Sequence, residues 1–107
     1  IQPGSLEECL ADGRAEPIQV IDVREPSEFG AGLGHIAGAR LIPLGALAER
    51  NAEIDPKRPV VTVCRSGARS AQATVLLQKA GHARVANLAG GMLRWRAEGL
   101  PFEQGAN

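Results

Sequence analysis

The stretch PVVTVCRSGARSAQATVLLQKAG, Pro59 to Gly81, changes character at its cysteine. Val60 to Val63 is a β-branched run of the kind that forms a buried strand. From Ala68 onward, Ala71, Val75, Leu76 and Ala80 recur at helical intervals opposite Gln72, Gln78 and Lys79, which predicts a helix with those four on its apolar face. Gly81 then supplies a helix stop. Between strand and helix lie Cys64, Arg65, Ser66 and Gly67. A strand, a short glycine-containing loop and a helix in succession form the repeating unit of an α/β sheet.

The same alternation extends in both directions. Upstream, Ser5 and Glu8 have capping-box spacing, and Leu6, Cys9 and Leu10 predict a first helix of about two turns ending at Gly13. Ile18 to Val23 reads as a second buried strand. Glu25 to Phe29 suits a short helix with Pro26 in its first turn and acidic residues near the positive end of its dipole. The glycine-rich segment Gly30 to Gly34 predicts a mobile rim. Arg40 to Pro43 is a short strand stopped by proline, Leu44 to Arg50 a further helix, and Asp55 to Pro59 a loop. Downstream, Arg84 to Leu88 gives a last strand, and Gly90-Gly91 opens a final helix carrying Trp95. Strands alternating with helices imply a mostly parallel sheet covered on both faces.

At 107 residues and 44% hydrophobic, the chain has room for one core, so residues 1–107 are expected to form a single domain. Twelve basic and twelve acidic residues cancel, without a basic tract, which argues against a nucleic-acid partner. No apolar run approaches the roughly 20 residues needed to span a bilayer, so no membrane association is expected. Cys9 and Cys64 form no C-x-x-C pair, and with two histidines no metal cluster is expected. A reduced, cytoplasmic setting is the simpler reading. The chain starts at Ile1 rather than Met, which leaves room for a removed leader or a lost neighbouring domain.

In an open parallel sheet, ligands bind beyond the carboxyl ends of the strands, and Cys64 sits at such an end. The short residues Ser66, Gly67 and Ala68 let the chain curl so that successive amides converge on the sulfur. A free thiol has a pKa of about 8.5, and a helix N-terminus with adjacent cations lowers it toward roughly 3.5 to 7.5. Cys64 is therefore the candidate nucleophile. An isolated cysteine on an apolar strand is more commonly a packed structural thiol. A packing role, however, gives no reason for Arg65 and Arg69 in the same loop, because burying unpaired charge is costly.

Cys64-Arg65-Ser66-Gly67-Ala68-Arg69-Ser70 resembles the active-site loop of single-domain rhodaneses, sulfurtransferases that load a cysteine as a persulfide. Ile21-Asp22-Val23-Arg24-Glu25 with Glu28-Phe29 and Gly34-His35-Ile36-Ala37-Gly38-Ala39 resemble the family's flanking motifs, as does Gly90-Gly91-Met92 with Trp95. The resemblance implies a rhodanese-like α/β fold with five parallel strands and helices on both faces. It also implies transfer of a sulfane sulfur from thiosulfate or a similar small anionic donor to cyanide, a thiol or a protein acceptor, without a cofactor. On this reading the amides of Arg65 to Arg69 hold the terminal sulfur, the Arg65 and Arg69 side chains attract the anion, and the Ser66 and Ser70 hydroxyls are further donors.

Two alternatives stay open. One is a persulfide carrier or sensor module with little free turnover; the other is a cysteine-dependent phosphatase or arsenate reductase. The latter enzymes use C-x5-R, whereas Cys64 to Arg69 is C-x4-R, a smaller ring that suits sulfur better than a phosphoryl group.

Asp22 and Arg24 are candidate supporting residues, with a structural strand-end pair as the plainer reading. His35 fits a locally hydrogen-bonded turn and His82 the surface. Cys9 reads as a packed residue on the apolar face of the first helix. Trp95 reads as packing for the last helix, and Gly90 and Gly91 as sites of close backbone approach to the loop.

Overall fold

The computed structural model describes residues 1–12 and 17–105. Four strands, β1 (Gln19–Asp22), β2 (Arg40–Leu41), β3 (Val60–Val63) and β4 (Val85–Asn87), form one sheet in the order β2-β1-β3-β4. Every pairing is parallel, with Val20 opposite Val61 and Val61 opposite Ala86. Among the described residues the expected fifth strand is not formed. Ile1 runs beside β4, where its backbone nitrogen donates to the Asn87 carbonyl (2.7 Å) and its carbonyl accepts from the Ala89 amide (2.8 Å). Pro3 then starts the first helix.

Among the described residues five α-helices accompany the sheet, α1 (Pro3–Ala11), α2 (Pro26–Phe29), α3 (Leu44–Arg50), α4 (Ala68–Lys79) and α5 (Gly91–Ala97), with a 3-10 turn over Asn51–Glu53. Alternation along the strands divides the interior between two faces, as the period of two requires. Val20, Val61 and Val63 pack with Leu6 of α1, Phe29 of α2, and Met92 and Trp95 of α5. Ile21 and Val60 pack with Leu47 of α3 and Ala73 and Leu77 of α4. No helix among the described residues is long and apolar enough to cross a membrane.

Several expectations need correction. Ser5 and Glu8 lie inside α1, which starts at Pro3 because proline's fixed φ suits the first helical position; the expected stop at Gly13 lies outside the described residues. Cys9 is half-buried, and α1 contributes Pro3 and Leu6 to the interior instead. The buried face of α4 is Ser70, Ala73 and Leu77, while Ala71 and Ala80 are exposed, Leu76 is half-buried and Val75 is 50% exposed. Small polar residues can face the sheet here because they are satisfied. The Thr62 hydroxyl donates to the Ser70 carbonyl (3.0 Å) and lies 2.9 Å from the Thr74 hydroxyl. His82 is buried rather than exposed, since the chain turns back at Gly81 (φ 107°) and carries the imidazole inward.

Candidate active site

Strand β3 ends at Val63 and delivers Cys64 to the carboxyl edge of the sheet, where its side chain is only 1% exposed. The loop then turns through Gly67, whose φ of 107° is open to glycine but strained for other residues, and enters α4. That turn points the Gly67 amide at Sγ (3.0 Å), and the Ser70 hydroxyl in the first turn of α4 lies 3.3 Å from the same atom.

A second helix holds the loop from behind. The first N–H groups of a helix have no partner within it, and two of those of α5 find theirs in the loop. Met92 donates to the Cys64 carbonyl (2.9 Å) and Leu93 to the Arg65 carbonyl (3.0 Å). Gly91 permits this approach: a Cβ there would lie 2.5 Å from both carbonyl oxygens. The expectation of close backbone contact at this position is met.

The acidity of Cys64 results from opposed effects. Burial pushes the thiol up, but hydrogen bonds from the Ser70 hydroxyl and from the amides of Ser70, Gly67 and Ser66 outweigh it, so the net shift is downward. The leading downward contributions are loop dipoles rather than guanidinium groups.

Arg65 and Ser66 are exposed, as is Ala68. Arg69 is paired with a carboxylate. Its guanidinium forms a two-pronged pair with Glu28 of α2 (2.7 and 2.8 Å), a residue 41 positions away in the chain. Glu28 is itself placed by a bond from the Glu25 amide (3.1 Å). The Arg69 hydrogen bond is the chief reason that its carboxyl is lowered to about 2.

Asp22 and Arg24 are almost completely buried. Arg24 donates to both Asp22 carboxylate oxygens (2.9 and 2.7 Å) and reaches the carbonyls of Gly34 (2.7 Å) and Glu28 (3.2 Å). This geometry ties the end of β1 to α2 and to the segment beyond it, in accord with the structural reading. His35 is likewise held locally, with Nδ1 donating to the Phe29 carbonyl (2.7 Å) and its ring stacked on Phe29.

Asn87, at the end of β4, has no counterpart in the sequence reading. Its Nδ2 donates to the Gly67 carbonyl (3.1 Å) and its Oδ1 accepts from the Ser70 hydroxyl, so one amide braces both donors to Sγ. An asparagine at a strand end carries no local signal of such a role.

Gly30 to Gly34, where a mobile rim is expected, carries several hydrogen bonds from the C-terminal segment and α5. His35 and Glu103 exchange backbone bonds (2.8 and 2.7 Å), and the Gly105 amide donates to the Gly30 carbonyl (2.7 Å). Arg96 donates to the Leu33 carbonyl (2.8 Å) and stacks on Phe102, 3.4 Å from its ring centre. A cavity of about 220 Å³ opens between this rim and Arg65, with Arg24, Ser27 and Glu28 also on its walls; Cys64 does not itself line it.

The rhodanese-like domain model matches residues 3–98. The chain belongs to the rhodanese-like family. It is 42% identical over 102 residues to a sulfurtransferase of Allochromatium vinosum, covering 95% of this chain and 92% of that one. A thiosulfate sulfurtransferase, GlpE, of Pseudomonas putida is 37% identical over 93 residues, covering 85% and 81%. The crystal structure of the Alr3790 protein from Anabaena superposes with a TM-score of 0.87 at 29% identity, covering 98% of this chain and 80% of that one. Other relatives are longer: the chain spans 43% of a Mycobacterium tuberculosis relative that it matches over 101 residues. Sulfur transfer in general is thus the family's activity, housed here on a four-stranded version of the fold.

Proposed function

We propose that the protein is a sulfurtransferase in which Cys64 carries the sulfur, taking it from thiosulfate or a similar small anionic donor and passing it to cyanide or a thiol. The observation that supports this most directly is the Gly67 amide aimed at Sγ, together with the Ser70 hydroxyl on the same atom. Both favour a thiolate over a thiol, and the curl of amides around Sγ is suited to the terminal sulfur of a persulfide.

In the first step the Cys64 thiolate attacks the outer sulfur of thiosulfate. A bond from Sγ to that sulfur forms, the donor's sulfur–sulfur bond breaks, and its electron pair leaves with sulfite. Sulfite is a good leaving group, so no proton transfer is needed and His35 has no part in the chemistry. In the second step the acceptor attacks the outer sulfur and the Cys64 thiolate departs. Arg65, exposed at the loop's edge, draws in the anion. Arg69 braces the loop against α2 rather than meeting the donor, a change from the reading in which both arginines bind it.

The same pairing weighs against the phosphatase alternative, which requires the final loop arginine to face a phosphoryl group. The carrier alternative uses the same persulfide and differs only in turnover. Purified protein is expected to form thiocyanate from thiosulfate and cyanide, and Cys64→Ala to abolish it. Intact-mass measurement is expected to detect one added sulfur on Cys64. Sulfur loading with negligible thiocyanate would favour the carrier; no loading, or full activity in Cys64→Ala, would refute the proposal.

A further inference from the structure

The charges around Cys64 do not sum as the loop's composition suggests. Arg24 is cancelled by Asp22 inside the protein, at 2.7 Å. Arg69 is cancelled by Glu28 through two bonds. Arg65 has no carboxylate partner among the described residues. Glu28 also forms part of the wall of the cavity that Arg65 borders, so an approaching donor meets a carboxylate as well as a guanidinium. The remaining wall, from Ala31 to Leu33, adds apolar surface. At about 220 Å³, where about 10–15 Å³ suffices for one water, the cavity leaves room beside a donor as small as thiosulfate.

We propose that Glu28 sets donor selectivity: by neutralising Arg69 it leaves Arg65 as the uncompensated guanidinium of the loop and favours an organic hydropersulfide over dianionic thiosulfate. This rests on the reading of Cys64 as the sulfur carrier. A dianion gains most from a second free cation and loses most from a nearby carboxylate, whereas a donor that is neutral or singly charged gains and loses less. The organic group of a hydropersulfide also has the rim of Ala31 to Leu33 to lie against. In the transfer, the Cys64 thiolate attacks the outer sulfur of the protonated hydropersulfide. The bond from Sγ to that sulfur forms, the donor's sulfur–sulfur bond breaks, the pair leaves as the organic thiolate, and the proton stays on the transferred sulfur. No oxidant or reductant is consumed.

The test is the rate of sulfur gain at Cys64, followed by intact mass, with thiosulfate and with the hydropersulfide of mercaptoethanol as separate donors. The quantity read is the ratio of the thiosulfate rate to the hydropersulfide rate. Glu28→Gln keeps an acceptor for the Glu25 amide while removing the charge. It is expected to raise the ratio by about tenfold at low salt, the order expected for one unit charge near a dianion at a partly exposed site. Added salt should shrink that gain. Arg69→Gln, which leaves Glu28 uncompensated, is expected to lower the ratio by about the same factor. The double variant is expected to return near the wild-type ratio, because the pair then carries no charge again. A ratio that stays within about twofold in both single variants would overturn the inference, as would a double variant that keeps the raised ratio of Glu28→Gln. Wild-type protein that takes sulfur from neither donor would overturn the sulfurtransferase reading and this inference with it. Loading from both donors with an unmoved ratio would overturn this inference alone.

Discussion

Ser70→Ala tests the source of the Cys64 acidity. The Ser70 hydroxyl is fully buried and lies 3.3 Å from Sγ, but it is also 3.2 Å from the Gly67 carbonyl and within bonding distance of Asn87 Oδ1. A hydroxyl has one proton to donate, and all three neighbours are acceptors. A hydrogen bond to a charged group contributes about 1.5–3 kcal/mol, and each pKa unit corresponds to about 1.4 kcal/mol. Because the proton is shared, Ser70→Ala is expected to raise the thiol by removing stabilisation at the lower end of that range, about 1.5 kcal/mol. The thiol does not revert completely, since the Gly67 amide remains 3.0 Å from Sγ.

The assay is the rate of alkylation of unloaded protein by iodoacetamide as a function of pH, with Cys64→Ala as the blank for Cys9. The midpoint for Cys64 should move up, so sulfur loading at a pH below both midpoints should slow by about tenfold, the factor that about 1.4 kcal/mol represents. The deficit should close once the pH exceeds the new midpoint. A midpoint that stays in place or moves down would refute the assignment of the hydroxyl as a thiolate donor. So would slowing that persists at high pH, which would point to displacement of the loop instead.

Other outcomes follow from the same geometry. Glu28 is lowered from its ordinary 4.5 to about 2, so its pairing stabilises the fold fully above about 4.5 and is lost as the pH falls toward about 2. The pair is partly exposed and screened, so that loss should be about 1 kcal/mol or less; Glu28→Gln should flatten this part of the curve of denaturation midpoint against pH. Gly91→Ala should destabilise by about 2 kcal/mol or more in denaturant melts, since φ is +59° and the new Cβ meets two carbonyl oxygens at 2.5 Å. It should also slow loading of Cys64 by pushing the loop off α5. Phe102→Ala removes the ring stacked under Arg96, a contact worth about 1 kcal/mol at an exposed site. Amide exchange over Gly30 to Gly34 should accelerate in that variant while β1 and β3 remain protected.

What could be read from the sequence was what is local. Val60 to Val63, the turn at Gly67 and the start of α4 occupy consecutive positions, and each residue's preference agrees with its neighbours'. The elements around them were recovered for the same reason, with ends displaced by a residue or two. Where hydrophobicity alone had to choose a helix face it chose wrongly. Ser70 and Thr74 of α4 have hydrogen-bond partners in the fold, which no ranking of side chains by polarity reveals. Asn87, the hydrogen bond from Gly105 to Gly30 and the burial of His82 all depend on parts of the chain that meet only after folding.

The electrostatics of the loop are the clearest case, because composition and arrangement point to different causes. Two arginines beside a cysteine suggest a thiolate stabilised by cations, yet one of the two is spent on a carboxylate 41 residues away. The lowered thiol depends chiefly on Ser70 and on amides that α4 and α5 orient. Dipoles fixed by backbone cannot swing away when a donor arrives or sulfite departs, whereas long cationic side chains can. A site built on them stays complementary to an anionic sulfur through both halves of a transfer cycle. Arg65 is then left to act on the approaching donor rather than on the nucleophile, which is why its substitution should alter donor binding while leaving the alkylation midpoint of Cys64 nearly in place.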